Sequence, residues 1–209
     1  MDYVRYKQTN LTTKINKIDN DWINIKNKCR TTVGKEYTEN IPTSEFKWRL
    51  LKSEHSPIRL LTVDWSWPSI KSWVATHFSR HKWECFISTR RSDRTGVDRS
   101  TLSQDELVQF DGFANAQNLI DTARKRLCFR ASTETRQRME DLKIKITDRE
   151  KELGNVLVPN CVYRAGCPEF ETCGYWKSFQ IKHGNILNID ERYACYNSDF
   201  EERMVNTYK

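Results

Sequence analysis

Arginine is concentrated in one stretch of the sequence, between residues 80 and 99. Its guanidinium groups belong to Arg80, Arg90, Arg91, Arg94 and Arg99, and several hydroxyl side chains lie among them. A guanidinium group presents a planar fork of N–H donors that binds two phosphate oxygens at once, and hydroxyls can fill the remaining acceptors. A solvated basic loop is the alternative interpretation. Because the stretch follows an amphipathic helical pattern, the sequence favours a site for a phosphate or another anion.

Two histidines stand at a spacing that metal sites use. His77 and His81 are four residues apart, on the apolar side of a helical pattern. A zinc site needs a third ligand as well, and the sequence contains no HExxH pattern. Histidines on an apolar face are more often buried and hydrogen-bonded. We favour that interpretation and predict no metal site.

Seven cysteines are scattered between Cys29 and Cys195. The number is odd and the first residues lack the apolar core of a signal peptide, which favours reduced thiols in an intracellular, cytoplasmic protein. Cys161, Cys167 and Cys173 are separated by five residues twice, whereas paired zinc ligands are usually two to four residues apart. Free thiols are therefore favoured, and a structural zinc stays an open alternative.

The composition restricts the class of protein. The chain has 209 residues, with 35 Lys and Arg against 28 Asp and Glu, a net charge of +7 and a mean hydropathy of −0.78. No stretch reaches the ~20 apolar residues of a membrane-spanning helix, and no membrane partner is expected. We expect one soluble domain over 1–209, with a Cys-rich C-terminal extension at about 159–209, and an anionic partner.

Periodicity identifies the first elements of the chain. A helix is predicted over 44–53, with Thr43 or Ser44 as its N-terminal cap. The β-branched and aliphatic run over 58–65 predicts a strand. The polar residues 1–20 are expected to form a strand or an irregular segment.

Two further helices are predicted to position the histidines and the basic stretch. One opens at Ser66 with Pro68 in its first turn and extends to His81. The stretch 86–99 then forms a loop or a short strand pair.

The second of these helices is long. It is predicted over 113–152, with a break near 131–133. Gly154 and Pro159 are expected to end it.

Four motifs, taken in order along the chain, resemble those of one enzyme family. SEHSPIR at 53–59 resembles a segment that approaches a flavin, and RHKWECFISTRRSDR at 80–94 resembles the signature motif of the flavin-dependent thymidylate synthases (the ThyX family). NAQNLIDTARKRLCFRASTETR at 115–136 resembles a third motif of that family, and PNCVYRAGCPE at 159–169 resembles a Cys-containing tail of some members. The resemblance covers about residues 28–173.

The resemblance implies a fold and an activity. The implied fold is α/β (α+β), with a curved, mainly antiparallel sheet flanked by helices, assembled into a homotetramer whose sites are shared between subunits. The implied reaction is the reductive methylation of dUMP to dTMP, with methylenetetrahydrofolate as carbon donor, NADPH as reductant and FAD as cofactor.

The resemblance also implies roles for individual residues. Those expected to hold FAD are Ser56, Arg80, His81, Lys82, Asn115, Gln117 and Asp121. Those expected to surround dUMP are His77, Ser92, Arg94, Arg99 and Arg126. Arg126 and Ser92 are the implied catalytic residues. A cation such as Arg126 beside the uracil carbonyl would stabilise negative charge as hydride adds to the ring.

Two alternatives remain open. Arg59 and Arg90 stand where the family has Glu, which leaves room for an FAD-dependent modification of another pyrimidine nucleotide. The basic stretch and its aromatic neighbours would also suit a non-catalytic protein that binds a nucleotide or single-stranded nucleic acid by charge and stacking. Bound flavin would distinguish either enzyme from the binding protein.

Overall fold

The computed structural model describes residues 12–208, which form a four-stranded antiparallel sheet and ten α-helices. The strands are β1 (Lys14–Asp19), β2 (Thr62–Lys71), β3 (Glu84–Ile87) and β4 (Leu107–Asn115), in the spatial order β1-β2-β4-β3. The α-helices are α1 (Trp22–Thr31), α2 (Ser44–Lys52), α3 (Ser72–Ser79), α4 (Ser92–Thr95), α5 (Ala116–Arg126), α6 (Thr133–Thr147), α7 (Lys151–Val156), α8 (Asn160–Arg164), α9 (Tyr175–His183) and α10 (Ile189–Tyr208). The fold is therefore a mixed α+β fold.

One face of the sheet is buried against helices. Trp65 and Trp67 of β2 and Phe110 of β4 point into this core, and the outward residues between them are polar. A single cluster of buried apolar side chains extends from Ile15 to Phe200. The C-terminal helices thus share the core of the sheet.

The prediction of a helix that begins at Ser66 is wrong. β2 continues to Lys71, because buried and outward residues alternate as far as Trp67 and the pairing with β4 resumes at Ile70 and Lys71. Pro68 lies at a bulge in the pairing of β2 with β4, where its missing N–H removes no ladder hydrogen bond. α3 is consequently short, and His81 lies beyond its end.

The helix predicted over 44–53 is confirmed by α2, whose first turn is capped by the Thr43 hydroxyl accepting from the Phe46 N–H at 3.2 Å. The strand predicted over 58–65 is partly wrong, because residues 56–60 form a 3₁₀ turn ahead of β2.

The prediction of a long helix over 113–152 is wrong, because this stretch contains parts of four elements, β4, α5, α6 and α7. Its first residues belong to β4, and the predicted break near 131–133 is confirmed between α5 and α6. Gly154 does not end the helical region, since it lies inside α7 and packs against Thr147. The strand expected among the first residues is found as β1, and residues 1–11 lie outside the described part of the chain.

The basic stretch predicted as a loop or a strand pair contains the end of β3, the single-turn helix α4 and a 3₁₀ turn at Arg99–Thr101. No helix in the described part of the chain is long and apolar enough to cross a membrane.

Candidate functional site

The C-terminal ends of α3 and α5 meet and bring together four of the predicted site residues. Arg126, the last residue of α5, donates from Nε to His81 Nε2 at 2.7 Å and from Nη2 to the His77 carbonyl at 2.9 Å. That carbonyl lies in the last turn of α3, where carbonyls lack partners within the helix. Arg80 is the C-cap of α3, directly after its last residue. We call His77, Arg80, His81 and Arg126 the histidine–arginine cluster.

Both histidines of this cluster are neutral at pH 7. Burial, assisted by the charge of Arg126, lowers the pKa of His81 to about 4. Burial and the charges of Arg126 and Arg80 also lower the pKa of His77. Because neutral His81 accepts at Nε2, its proton resides on Nδ1. Arg126 remains charged although burial lowers its pKa, since a guanidinium titrates far above neutrality.

The histidines contact an arginine and a hydroxyl. His81 Nε2 is occupied by Arg126, and His77 Nδ1 lies 3.1 Å from Thr135 Oγ1. Within residues 12–208, no group of three or more His, Cys, Asp and Glu side chains is arranged to hold a metal ion. The four-residue spacing of the histidines here serves the placement of Arg126.

The positive charge at the cluster lacks carboxylate partners. Within the described residues, Arg80, Lys82 and Arg126 form no ion pair with Asp or Glu, whereas Arg124 pairs with Glu54. Arg80 and Lys82 are exposed, and Arg126 keeps its Nη1 without a protein partner among these residues. Cations that lack an internal counter-charge favour the binding of an external anion.

The predicted substrate residues Ser92, Arg94 and Arg99 lie in the exposed segment between β3 and β4. Ser92 Oγ accepts from the Arg99 backbone N–H at 2.9 Å, so these two residues are brought together. Arg90 anchors the segment by donating to the Ser72 hydroxyl at 2.9 Å and to the carbonyl of residue 103 at 2.7 Å. Among the described residues, no hydrogen bond or ion pair joins Ser92, Arg94 or Arg99 to Arg126.

The predicted flavin residues at the N-terminal end of α5 form a second polar group. Asn115 caps the helix, its Oδ1 accepting from the backbone N–H of residue 118 at 2.9 Å. Gln117 donates to Glu54 Oε2 at 2.6 Å, and Asp121 accepts from Arg124 Nη1 at 3.2 Å. Arg124 also forms an ion pair with Glu54 and stacks over an aromatic ring.

Sequence reasoning missed Glu54 and Arg124. Glu54 is separated by 63 residues from Gln117 and by 70 from Arg124, so no local spacing connects them. Glu54 also adopts a left-handed backbone conformation, with φ of 55°, which nothing in the sequence marks.

Ser56 lies apart from the histidine–arginine cluster, in the wall of an open groove of about 910 Å³ between α1, α2 and the 3₁₀ turn. Apolar and polar side chains line the groove, and its two cations have carboxylate partners, since Arg49 pairs with Glu45 at 3.8 Å and Lys52 with Asp190 at 2.6 Å. Ser53 and His55 line it as well, and Glu54 between them reaches the polar group on α5. The groove and the N-terminal end of α5 are therefore neighbours.

The comparison with known proteins adds a likeness of fold. No family model matches the chain, and no curated protein matches it. A solved structure of a UMP/dUMP methylase, PolB from Streptomyces cacaoi, bound with 5-Br dUMP, superposes with a TM-score of 0.58 at 12% identity. The match covers 71% of this chain and 95% of that chain. Over that length the chain shares the α+β fold of this methylase.

Proposed function

We propose that the chain is a flavin-dependent pyrimidine nucleotide methylase that converts dUMP to dTMP. The observation that carries the proposal is the histidine–arginine cluster. In this cluster Arg126 donates two hydrogen bonds to neutral acceptors, and its charge has no carboxylate partner in the described residues. The motifs of the sequence and the fold shared with a protein named as a UMP/dUMP methylase support the same conclusion.

Arg126 would stabilise charge on the pyrimidine ring. As hydride adds to the uracil ring, negative charge develops on its carbonyl oxygen, and a fixed guanidinium beside that oxygen lowers the energy of the transition state. His81 and the His77 carbonyl orient the guanidinium before the reaction begins. This preorganisation is what makes such a donor effective.

The exposed segment with Ser92, Arg94 and Arg99 would bind the nucleotide phosphate. Within residues 12–208 the Arg99 guanidinium has no hydrogen bond or ion pair, and the Arg99 backbone is held by Ser92, so the guanidinium is available to a phosphate. The anchoring of Arg90 to α3 keeps this segment attached to the helix that carries His77.

Several residues fit the cofactor that the motifs imply. Arg80 and Lys82 are exposed cations without carboxylate partners in the described residues, and a diphosphate requires such groups. Ser56 lies in the 910 Å³ groove, which is large enough to hold another part of a large ligand. FAD, when bound, would carry hydride from NADPH to the nucleotide, and methylenetetrahydrofolate would supply the carbon.

A homotetramer with shared sites would account for the spread of the flavin residues. Gln117 and Arg126 lie at opposite ends of α5, about 13 Å apart at ~1.5 Å per residue, and Ser56 lies in the separate groove beside α2. Residues from two subunits facing each other would complete one site. Light scattering of the flavin-loaded protein should report a mass of about four chains, and a monomer with bound flavin would contradict this arrangement.

A second substrate is favoured by one observation. The methylase with the shared fold is named for both UMP and dUMP. Methylation of UMP on the same cluster is therefore the second candidate, and competition between the two nucleotides would separate them.

Flavin content and nucleotide binding test the proposal. The protein reconstituted with FAD should retain a yellow flavin absorbance and bind dUMP. Arg99→Ala should weaken dUMP binding by about 2–4 kcal/mol, the cost of removing one partner of a charged contact, with flavin retained. Arg91→Ala is the matched control, since Arg91 already pairs with Asp93 at 2.7 Å. A protein that binds neither flavin nor dUMP would refute the proposal.

A further inference from the structure

Four of the seven cysteines gather where the turn after α5 meets the loop between α8 and α9. They are Cys128 in the turn, Cys161 in α8, and Cys167 and Cys173 in the 165–174 loop. Phe129, next to Cys128, stacks on Tyr175, two residues beyond Cys173, with ring centroids 5.0 Å apart. Burial raises the pKa of Cys128, and negative charge on Cys173 or Cys167 would raise it further. We call these four residues the thiol cluster.

Two ion pairs hold the 165–174 loop over Cys128. Lys125 Nζ lies 3.6 Å from Glu169 Oε1, and Arg130 Nη2 lies 3.0 Å from Glu171 Oε2. Lys125 and Arg130 stand on either side of Cys128 in the sequence. The loop is therefore aligned along the turn that contains this thiol.

Little else secures the loop. It has no helix or strand, it begins at Ala165 and ends at Gly174 with left-handed backbones, and Phe170 is fully exposed. Exposed ion pairs contribute only about 0–1 kcal/mol each. A loop with so little buried apolar surface would gain stability from a covalent link to the body of the protein.

A preformed metal site does not account for the cluster. Within the described residues, no three ligand side chains are arranged about a common point. The two free thiols best placed to react with each other are Cys128 and Cys173. The Arg130–Glu171 ion pair joins the residues two positions from Cys128 and from Cys173, and Cys173 is exposed whereas Cys161 is buried.

We propose that Cys128 and Cys173 form a reversible disulfide in the presence of a small-molecule disulfide such as oxidised glutathione. The exposed Cys173 thiolate attacks glutathione disulfide, forms a mixed disulfide and releases one glutathione thiolate. The Cys128 thiolate then attacks the Cys173 sulfur and releases the second. Two protein thiols are oxidised to the disulfide and one glutathione disulfide is reduced to two glutathione thiols, which take up the two protons lost by Cys128 and Cys173.

The disulfide would stiffen the end of α5. Cys128 is two residues beyond Arg126, so a link to the 165–174 loop restrains the turn that follows the guanidinium. Cys161 would remain a thiol, because burial raises its pKa to about 12 and keeps it protonated.

Disulfide mapping of the full chain tests the proposal. After incubation in oxidised glutathione, mass spectrometry of a non-reduced digest should show one linked peptide pair that contains Cys128 and Cys173. The midpoint of thermal unfolding should rise by roughly 5–10 °C and return on reduction. Cys173→Ser should abolish both effects, whereas Cys29→Ser, a matched control on α1, should preserve them.

Three outcomes would overturn the proposal. The first is the absence of any link at equilibrium with oxidised glutathione. The second is a link from Cys128 to Cys167, tested with Cys167→Ser. The third is stoichiometric zinc in the purified protein that a mercurial releases together with the four thiols, which would make the cluster a metal site.

Discussion

At the scale of single residues, the Arg126 guanidinium is the group on which the proposed chemistry depends. It is half-buried, and both of its hydrogen bonds go to neutral acceptors, so its charge is oriented without being neutralised. If the arginine were paired with a carboxylate, most of its positive electrostatic potential at the site would be cancelled. The two histidines therefore act as positioning residues for Arg126.

Replacing Arg126 by lysine tests whether the planar guanidinium group, and not its charge alone, is needed. Lysine keeps the charge but cannot donate to His81 and the His77 carbonyl from one planar group. We expect turnover of dUMP to fall by roughly 10²-fold or more, the scale of losing one preorganised donor. Stability should change by only about 1–2 kcal/mol, measured by urea denaturation.

Arg130→Lys is the matched control, because Arg130 carries the same charge four residues later in an exposed pair with Glu171. It should retain near-normal turnover. Near-normal turnover in Arg126→Lys as well would show that the Arg126 fork has no part in the reaction.

The pKa of His81 predicts an acid sensitivity. Its folded-state pKa of about 4 lies below the unfolded value of 6.5, so the unfolded state binds the proton first as the pH falls. The contribution of His81 to the free energy of unfolding is fully present above pH 6.5 and is lost between pH 6.5 and 4. Since the ring is only partly buried, we expect a loss on the order of 1–2 kcal/mol.

Urea denaturation at several pH values checks this expectation. His81→Gln should flatten the pH dependence over this window relative to the wild type, and His55→Gln, at an exposed histidine, should leave it unchanged. An identical pH dependence in wild type and His81→Gln would contradict the assignment.

At the scale of elements, the contact between β2 and β4 depends on a glycine. Gly112 faces Trp65 across the strand pair, and a Cβ at Gly112 would lie 2.3 Å from the indole ring. Gly112→Ala must therefore displace Trp65 from a packed core. We expect a loss of about 1–3 kcal/mol in the free energy of unfolding.

Gly166→Ala provides the comparison. A Cβ at Gly166 meets open space and its φ is not positive, so stability should stay within about 0.5 kcal/mol of wild type. Equal stabilities of Gly112→Ala and Gly166→Ala would show that the Trp65 contact is looser than the structure indicates.

A buried lysine links α6 to α7 and α10. Lys143 Nζ donates to the Gly154 carbonyl at 2.6 Å and to Asn197 Oδ1 at 2.8 Å, and burial lowers its pKa to about 7. The unfolded lysine titrates near 10.5, so the unfolded state holds more protons between pH 7 and 10.5. Lys143 therefore makes the protein more stable as the pH rises through this range.

Because of Lys143, the free energy of unfolding should rise by about 1–2 kcal/mol between pH 7 and 8.5. Lys143→Met should remove it, and Lys145→Met, on the same helix, should leave it intact. Urea denaturation at both pH values measures the difference. A wild-type protein whose pH dependence matches that of Lys143→Met would contradict the low pKa.

Helices and strands that are specified by neighbouring residues could be predicted from the sequence. Those whose ends depend on contacts between distant residues could not. The cap of α2 joins two residues only three positions apart, Thr43 and Phe46, and was predictable. The end of β2 was not, because Ile70 and Trp73 imitate a helical repeat while the pairing with β4 determines the strand. The bulge at Pro68 is a property of that pairing.

At the scale of the whole molecule, the sheet and its helices bring distant motifs to a common place. The motif at 80–94 and the motif at 115–136 meet through His81 and Arg126, which are 45 residues apart. Sequence reasoning could name both residues from their motifs. It could not foresee that they contact each other, nor that Glu54 joins the polar group at the other end of α5.

The formation of a methylated nucleotide tests the central claim most directly. The chain would be incubated without oxygen with FAD, NADPH, isotopically labelled methylenetetrahydrofolate and either dUMP or UMP, and the nucleotides analysed by mass spectrometry. We expect labelled dTMP, formed only when dUMP and the folate are both present. A folded, flavin-loaded protein that yields no methylated product from dUMP would contradict the claim, and methylation of UMP alone would reassign the substrate.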